Sequence, residues 1–186
     1  NANVGIFRIL IQQDKDTTKA LEHLQNCVNE YPKEQIFIQN MIDLYAKTGQ
    51  AEKALEYLDL AIERDPEEAL YHIIKGDIYV VFLKQYENAF VCYDRVIALD
   101  ANNAMGYFNY GVAYCELADK IYNDAAYLEA KEFEVEKAKS EELNKKALPY
   151  LEKAYELEPD NYDYKRSLRS LYYRLGMNDK YEALAD

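Results

Sequence analysis

Cysteine is scarce, and Cys27, Cys92 and Cys115 stand at no CxxC or other metal-ligand spacing. An odd number of thiols cannot all pair within one chain, so packing is the expected role. Histidine is scarcer still. His23 is expected at a surface or groove edge, and His72 occupies a place where a large side chain packs between helices. No HExxH, GxSxG or GxxxxGK[ST] pattern occurs, and the six glycines fall mostly at helix crossings or turns. The carboxylates are plentiful but spread over outer helix faces, with no glycosidase-like pair to single out. These absences point away from an enzyme and call for no cofactor and no metal. No apolar run approaches the roughly 20 residues that span a bilayer. Cations are outnumbered, 22 Lys and Arg against 34 Asp and Glu, for a formal net charge of −12. Such a balance argues against nucleic acid, whose binding depends on clustered cations displacing counterions from phosphates. A neutral or basic protein or peptide is the easier partner. The chain starts at Asn1 without an initiator Met or signal peptide, which reads as a fragment of a longer chain or a mature form that has lost a leader.

What is present is periodic. In QIFIQNMIDLYAKTGQAEKALEYLDLAIERDP, Gln35 to Pro66, the residues Ile38, Met41, Ile42 and Tyr45 share one helical face. Gly49 ends that helix, because glycine enters a left-handed turn without steric cost. Ala54, Leu58 and Ala61 mark a second helix, and Asp65-Pro66 is expected to cap the next one. The same residues recur in step. Tyr45, Tyr79, Tyr114 and Tyr172 are 34, 35 and 58 positions apart, as are Ala20, Ala54, Ala89 and Ala147, and again Pro32, Pro66, Ala101 and Pro159. Cys27 aligns with Ala61 and Ala154, which predicts a small buried hydrophobe there.

A 34-residue helix-turn-helix with Gly and Tyr in its first helix, Ala and a large apolar residue in its second and a closing Pro resembles the tetratricopeptide repeat. The best-kept stretches are KGDIYVVFLKQYENAFVCYDRVIALDA, NYGVAY and ALPYLEKAYELEP. The resemblance implies an all-α fold, a right-handed superhelical solenoid of antiparallel helix pairs, about four and a half repeats long. Residues 1–186 then form a single solenoid with repeats at 1–34, 35–68, 69–103, 104–161 and a partial 162–186. Three departures stand out: tryptophan is absent, Arg8 and Arg169 replace the small residue expected at the helix crossing, and the fourth unit is 24 residues longer than 34. ALPYLEKAYELEP with LYYRLGMNDKYEAL is similar to bacterial members that are often exported, which leans toward the cell envelope or periplasm over the cytoplasm.

The first helix, about Ala2 to Gln13, is apolar nearly all round through Val4, Ile6, Phe7, Ile9, Leu10 and Ile11, and Asp14 to Asp16 make the turn after it. A terminal cap should be polar outside, so this helix is expected to pack on something else. The third unit's extra residue falls between Gly76 and Tyr86, in the interhelix turn, since inside a helix it would rotate the apolar face away. The fourth unit's insertion, about 118–142, reads as an extended antiparallel hairpin with its tip near Glu129 to Glu132. Leu117, Ile121, Ala125 and Leu128 would face Phe133, Leu143, Ala147 and Leu151, with Glu141–Lys145 and Glu142–Lys146 pairs outside. Pro149 is expected to kink the returning helix without breaking it. The last unit turns Leu168, Leu171, Tyr172 and Leu175 inward, stops at Gly176 and adds a short helix over 179–185.

Stacked helix pairs leave a concave surface lined by the first helix of each unit. Side chains pointing away from the core there are Gln39, Asn40 and Asp43 in the second unit and Ile73, Asp77 and Val81 in the third. Phe108, Asn109 and Val112 follow in the fourth, then Arg166 and Ser170 in the last. Asn40 and Asn109 draw attention because an amide both donates to and accepts from an extended backbone. Family members that grip chaperone tails by their terminal carboxylate use Lys, Asn and Arg at set groove positions. Asn40 matches one of them, but Gly5, Leu70 and Ile74 stand where cations belong, so a free acidic tail is not the expected ligand. The reading is a non-catalytic scaffold holding a peptide or protein in its groove. The alternative is an assembly component that self-associates or joins neighbouring domains through its first helix and long hairpin.

Overall fold

The computed structural model describes residues 2–12, 16–31 and 34–185, without the side chains of residues 2, 7, 8, 11, 12 and 35. Every regular element among them is helical. They form two compact units, Asn1–Tyr71 with Val81–Leu83, and His72–Val80 with Lys84–Asp186.

The first unit holds α1 (Ala2–Gln12), α2 (Thr17–Glu30), α3 (Gln35–Lys47) and α4 (Ala51–Arg64), each packed on the next. Asp16 starts α2 by accepting the Lys19 N–H at 3.0 Å, satisfying a donor that the first turn leaves open. The remainder of the expected Asp14 to Asp16 turn lies outside the described residues, as do Gln13 and Pro32. Ala20, Leu24 and Cys27 point inward from α2; Ile38, Met41 and Ile42 do so from α3, and Ala54, Leu58 and Ala61 from α4. Tyr45 is half-buried and stacks on Tyr57, whose hydroxyl bonds the Gln25 side chain and so ties α4 to α2. His23 is structural, its Nε2 2.9 Å from the Asn3 carbonyl.

The expected cap at Asp65-Pro66 is a correction. Asp65 ends α4, its N–H donating to the Ala61 carbonyl, and α5 (Ala69–Ile78) begins only after an intervening turn. Glu68 serves α5 instead, accepting the Leu70 N–H at 3.1 Å. A proline two to three residues before a helix shapes its approach, and the capping falls to the next acidic side chain.

The second unit continues with α6 (Tyr86–Leu99), α7 (Ala104–Asp124), α8 (Ala130–Leu157), α9 (Tyr162–Arg174) and α10 (Asn178–Ala183). Helices pack closely where Gly76 and Gly111 stand: a Cβ there would sit 2.6 Å from the Tyr93 ring and 2.7 Å from Leu151. Tyr110 anchors the core, stacked on Tyr114 (5.4 Å between centroids), Tyr150 (4.2 Å) and Phe90 (5.4 Å). Next to it, Leu168, Leu171 and Tyr172 of α9 close on Ala147 and Leu151 of α8, with Leu175 partly buried beside them.

The third unit's extra residue is absorbed inside the expected window between Gly76 and Tyr86, as a widened helical turn in place of a longer loop. Residues Tyr79–Leu83 form a π-helical turn, and Lys84 then adopts the left-handed conformation at φ 53°. Glycine fills that closing position in two sister units, Gly49 at φ 74° and Gly176 at φ 68°, four residues past Tyr45 and Tyr172. Lys84 follows Tyr79 by five, so the widened turn swallows one residue and leaves the start of α6 in register.

The insertion does build a long hairpin from α7 and α8, but three details differ from expectation. Its tip is Ala125–Glu129, beginning with a 3-10 turn, Ala125–Tyr127, and Leu128 is exposed there. The buried seam on α8 passes through Ser140 and Asn144, with Leu143 only half-buried. Ser140 Oγ donates to the Ala118 carbonyl at 2.8 Å and Asn144 Nδ2 to the Ser140 carbonyl at 3.2 Å, which lets polar residues line a close helix contact. Lys145 pairs with Glu142 at 2.5 Å, an i, i+3 contact, in place of the expected i, i+4 spacing. The helix runs unbroken through Pro149, which is exposed.

Candidate functional site

Of the eleven residues assigned to a groove, the first unit carries four. Gln39 and Asn40 are half-buried on α3, Asp43 is exposed and paired with Lys47 at 3.2 Å, and Val81 is half exposed in the π turn. Asn40 Nδ2 donates to the Ile36 carbonyl of its own helix at 2.7 Å, so that donor is already in use.

In the second unit Ile73 is corrected. It is only 4% exposed, since it shares the face of α5 that carries buried Gly76 three residues on, a face continued by buried Val80 in the π turn. Asp77 and Asn109 meet each other. The Asn109 amide donates to both Asp77 carboxylate oxygens, at 2.9 and 3.1 Å, and the Tyr93 hydroxyl donates to Asp77 at 2.7 Å. Burial pushes the Asp77 carboxyl up to about 6 against the pull of those two donors, and the charge of Glu116 adds to the rise. The Asn109 amide therefore braces a carboxylate and does not present its donor to a peptide.

Phe108, Val112, Arg166 and Ser170 do come together. They line a cavity of about 410 Å³ between α7 and α9, with Cys115, Leu151 and Leu171 completing an apolar floor. Phe108 is held by Tyr164, ring centroids 4.6 Å apart. The rim is charged: Arg174 Nη1 donates to Asp119 at 2.5 Å, joining α9 to α7, and Lys84 lies 3.6 Å from Glu116. The sequence held a signal for Cys115, which follows Phe108 and Val112 at i+7 and i+3 on one helical face. It held none for the Asp119–Arg174 pair, 55 residues apart. Burial pushes the Cys115 thiol up to about 11, which leaves it a packing residue with little thiolate at neutral pH. Among the described residues no group of His, Cys, Asp or Glu is placed to hold a metal ion, and no helix is long and apolar enough to cross a membrane. An apolar floor with a mixed-charge rim can seat a side chain.

Family models described as tetratricopeptide repeat match residues 12–78 and 69–103. A human protein O-mannosyl-transferase, TMTC3, is 31% identical over 90 residues, 48% of this chain and 10% of that protein. A Giardia intestinalis UDP-N-acetylglucosamine–peptide N-acetylglucosaminyltransferase is 25% identical over 107 residues, 58% of this chain and 7% of the enzyme. The chain thus spans a tenth or less of the curated relatives it matches. Solved structures share its fold over most of its length. TTC0263, a TPR protein of Thermus thermophilus, superimposes with a TM-score of 0.64 at 18% identity, covering 98% of this chain and 84% of that one. YrrB, a TPR protein with an unusual peptide-binding site, gives 0.59 at 21% identity over 88% and 72%. The first TPR of Spaghetti (RPAP3) bound to an HSP90 peptide gives 0.56 at 19% over 76% and 94%. Residues 12–103 thus match tetratricopeptide repeat models, and the all-α helix pairs of the chain share the TPR-like fold of these solved structures.

Proposed function

We propose that this protein is a non-catalytic interaction scaffold that seats a peptide or protein segment in the cleft between α7 and α9. The observation that carries the reading is the convergence of Phe108, Val112, Arg166 and Ser170, four of the eleven residues assigned to the groove of a helical-repeat solenoid, on one cavity of about 410 Å³. Such a cleft takes an apolar side chain on its floor, and its rim, three carboxylates (Glu116, Asp119 and Asp163) against two arginines (Arg166 and Arg174), leans only slightly toward a neutral or basic neighbour. Solved relatives with peptide sites, YrrB and the RPAP3 repeat, support a peptide ligand of some kind. The matched transferases lend no catalytic residues, because the chain spans only 7% and 10% of their lengths.

The test is recovery of a partner by the immobilised protein, repeated with Val112→Trp, which fills the cavity, and with Val91→Asp on the exposed face of α6 as a control. Recovery should be lost with Val112→Trp and kept with Val91→Asp. Equal recovery by both variants removes the cleft as the docking place.

A second reading, assembly through the first helix, is favoured by Ile6 and Ile9, which are 44% and 47% exposed on α1. Light scattering over a concentration series separates the two readings. A dimer that dissociates on Ile6→Asp/Ile9→Asp substitution supports assembly, and a monomer at all concentrations rejects it.

A further inference from the structure

The second unit holds another cavity, between α9 and α10, of about 330 Å³. Its chemistry is opposite to that of the chain as a whole. Lys165, Arg166 and Arg169 line it together with Tyr162, Tyr173 and Tyr181, and among the described residues no acidic side chain lines it, in a protein with twelve more carboxylates than cations. Three cations at one concavity of an acidic molecule is a local reversal of field, and a concave low-dielectric wall concentrates such a field.

The cavity exists because of a residue that breaks the repeat. Arg169 stands where the third and fourth units carry Gly76 and Gly111, the points at which a bare Cα lets helices close on Tyr93 and Leu151. A guanidinium at that position cannot be buried against a partner helix in the same way. It lies instead over the Tyr181 ring, 4.3 Å from its centroid, with Nε donating to the Tyr181 carbonyl at 3.4 Å. Those two contacts orient the side chain from α10 and fix one edge of a planar fork. Arg166 and Tyr173 are exposed at the mouth, Tyr173 by 69% and packed on Tyr181 at 5.6 Å between centroids. Guanidinium groups match carboxylates in two-point hydrogen bonds, and exposed tyrosine faces cover the apolar stem of such a side chain.

We propose that the α9–α10 cavity is a second binding site, which takes carboxylate side chains of an acidic peptide segment. It adjoins the cleft between α7 and α9, and Arg166 and Ser170 border both.

The probe is a blocked hexaglutamate peptide titrated into the 186-residue chain, read by amide and Arg Nε–H NMR shifts, beside a blocked hexaglutamine peptide and inorganic phosphate. Hexaglutamate should shift the Arg169 Nε–H and Tyr181 signals in a saturable, salt-sensitive way, and hexaglutamine should leave them in place. Arg166→Gln, exposed and safe for folding, should weaken binding at least about tenfold, the loss of one charge-assisted contact. Arg169→Lys, which keeps charge and loses the fork, should weaken it too, while Lys139→Gln on the distant arm should not. Val112→Trp, which blocks the cleft, should leave hexaglutamate binding unchanged, so failure of one site is distinguishable from failure of the other. Equal binding of hexaglutamine, equal binding of phosphate alone, or indifference to Arg166→Gln overturns the proposal.

Discussion

At the scale of single residues, Asp77 is where the molecule spends stability. Its carboxyl is buried, braced by Tyr93 and Asn109, and titrates at about 6 in place of its ordinary 3.8. A folded-state value above the unfolded one means that folding favours the protonated form. Its contribution is therefore complete below about pH 3.8 and is lost as pH rises through about 6. At full ionisation the loss is about 3 kcal/mol. Asp77→Asn keeps an acceptor for the Tyr93 hydroxyl and removes the titration. Urea unfolding should show the variant gaining on the parent between pH 4 and pH 7.5, by about 1 to 3 kcal/mol. A stability difference that stays flat over that range would mean the carboxylate is solvated. Asp77 and Asn109 are legible in the sequence as groove-side positions, but their mutual bond, 32 residues apart, leaves no trace in local spacing.

At the scale of elements, the apolar faces of α2, α3 and α4 are fully readable, because one buried stripe repeated at fixed intervals over-determines a helix pair. What escapes reading is where the stripe is not apolar or the helix not regular. Ser140 and Asn144 lie in the α7–α8 seam because small and amide side chains can bond carbonyls of their own and the facing helix, a pattern that hydrophobic periodicity does not detect. Ile73 reads as outward because a single apolar residue has no direction until Gly76 and Val80 define the packed face. The π turn escapes for a related reason: an added residue can widen one turn and leave all later faces in place. It makes Lys84 do the work of a glycine. Lys84→Gly should raise stability by about 0.5 to 1 kcal/mol through relief of the left-handed conformation, against the minor loss of an exposed contact to Glu116. Lys84→Val should lower it. Chemical denaturation of the three proteins ranks them, and a glycine variant weaker than the parent would show that the ion pair outweighs the backbone.

At the scale of the whole molecule, the charge surplus works against folding, since twelve unmatched negative charges repel one another more when compact. The described ion pairs are mostly exposed i, i+3 or i, i+4 contacts such as Lys139–Glu136 and Lys120–Asp124, worth little each. Screening should therefore relieve more repulsion than it removes attraction. Raising sodium chloride from about 10 mM to about 150 mM, which shortens the screening length from about 30 Å to about 8 Å, should raise the urea midpoint. A falling midpoint would show that paired charges dominate. The arm offers a separate opportunity. Tyr127 at its tip is 95% exposed, whereas Cys27 and Cys92 are buried and Cys115 is partly so with a weakly acidic thiol. A cysteine placed at that tip would react with maleimide dyes long before the native thiols, giving a single-site fluorophore whose distance to a labelled ligand locates the tip relative to the bound segment.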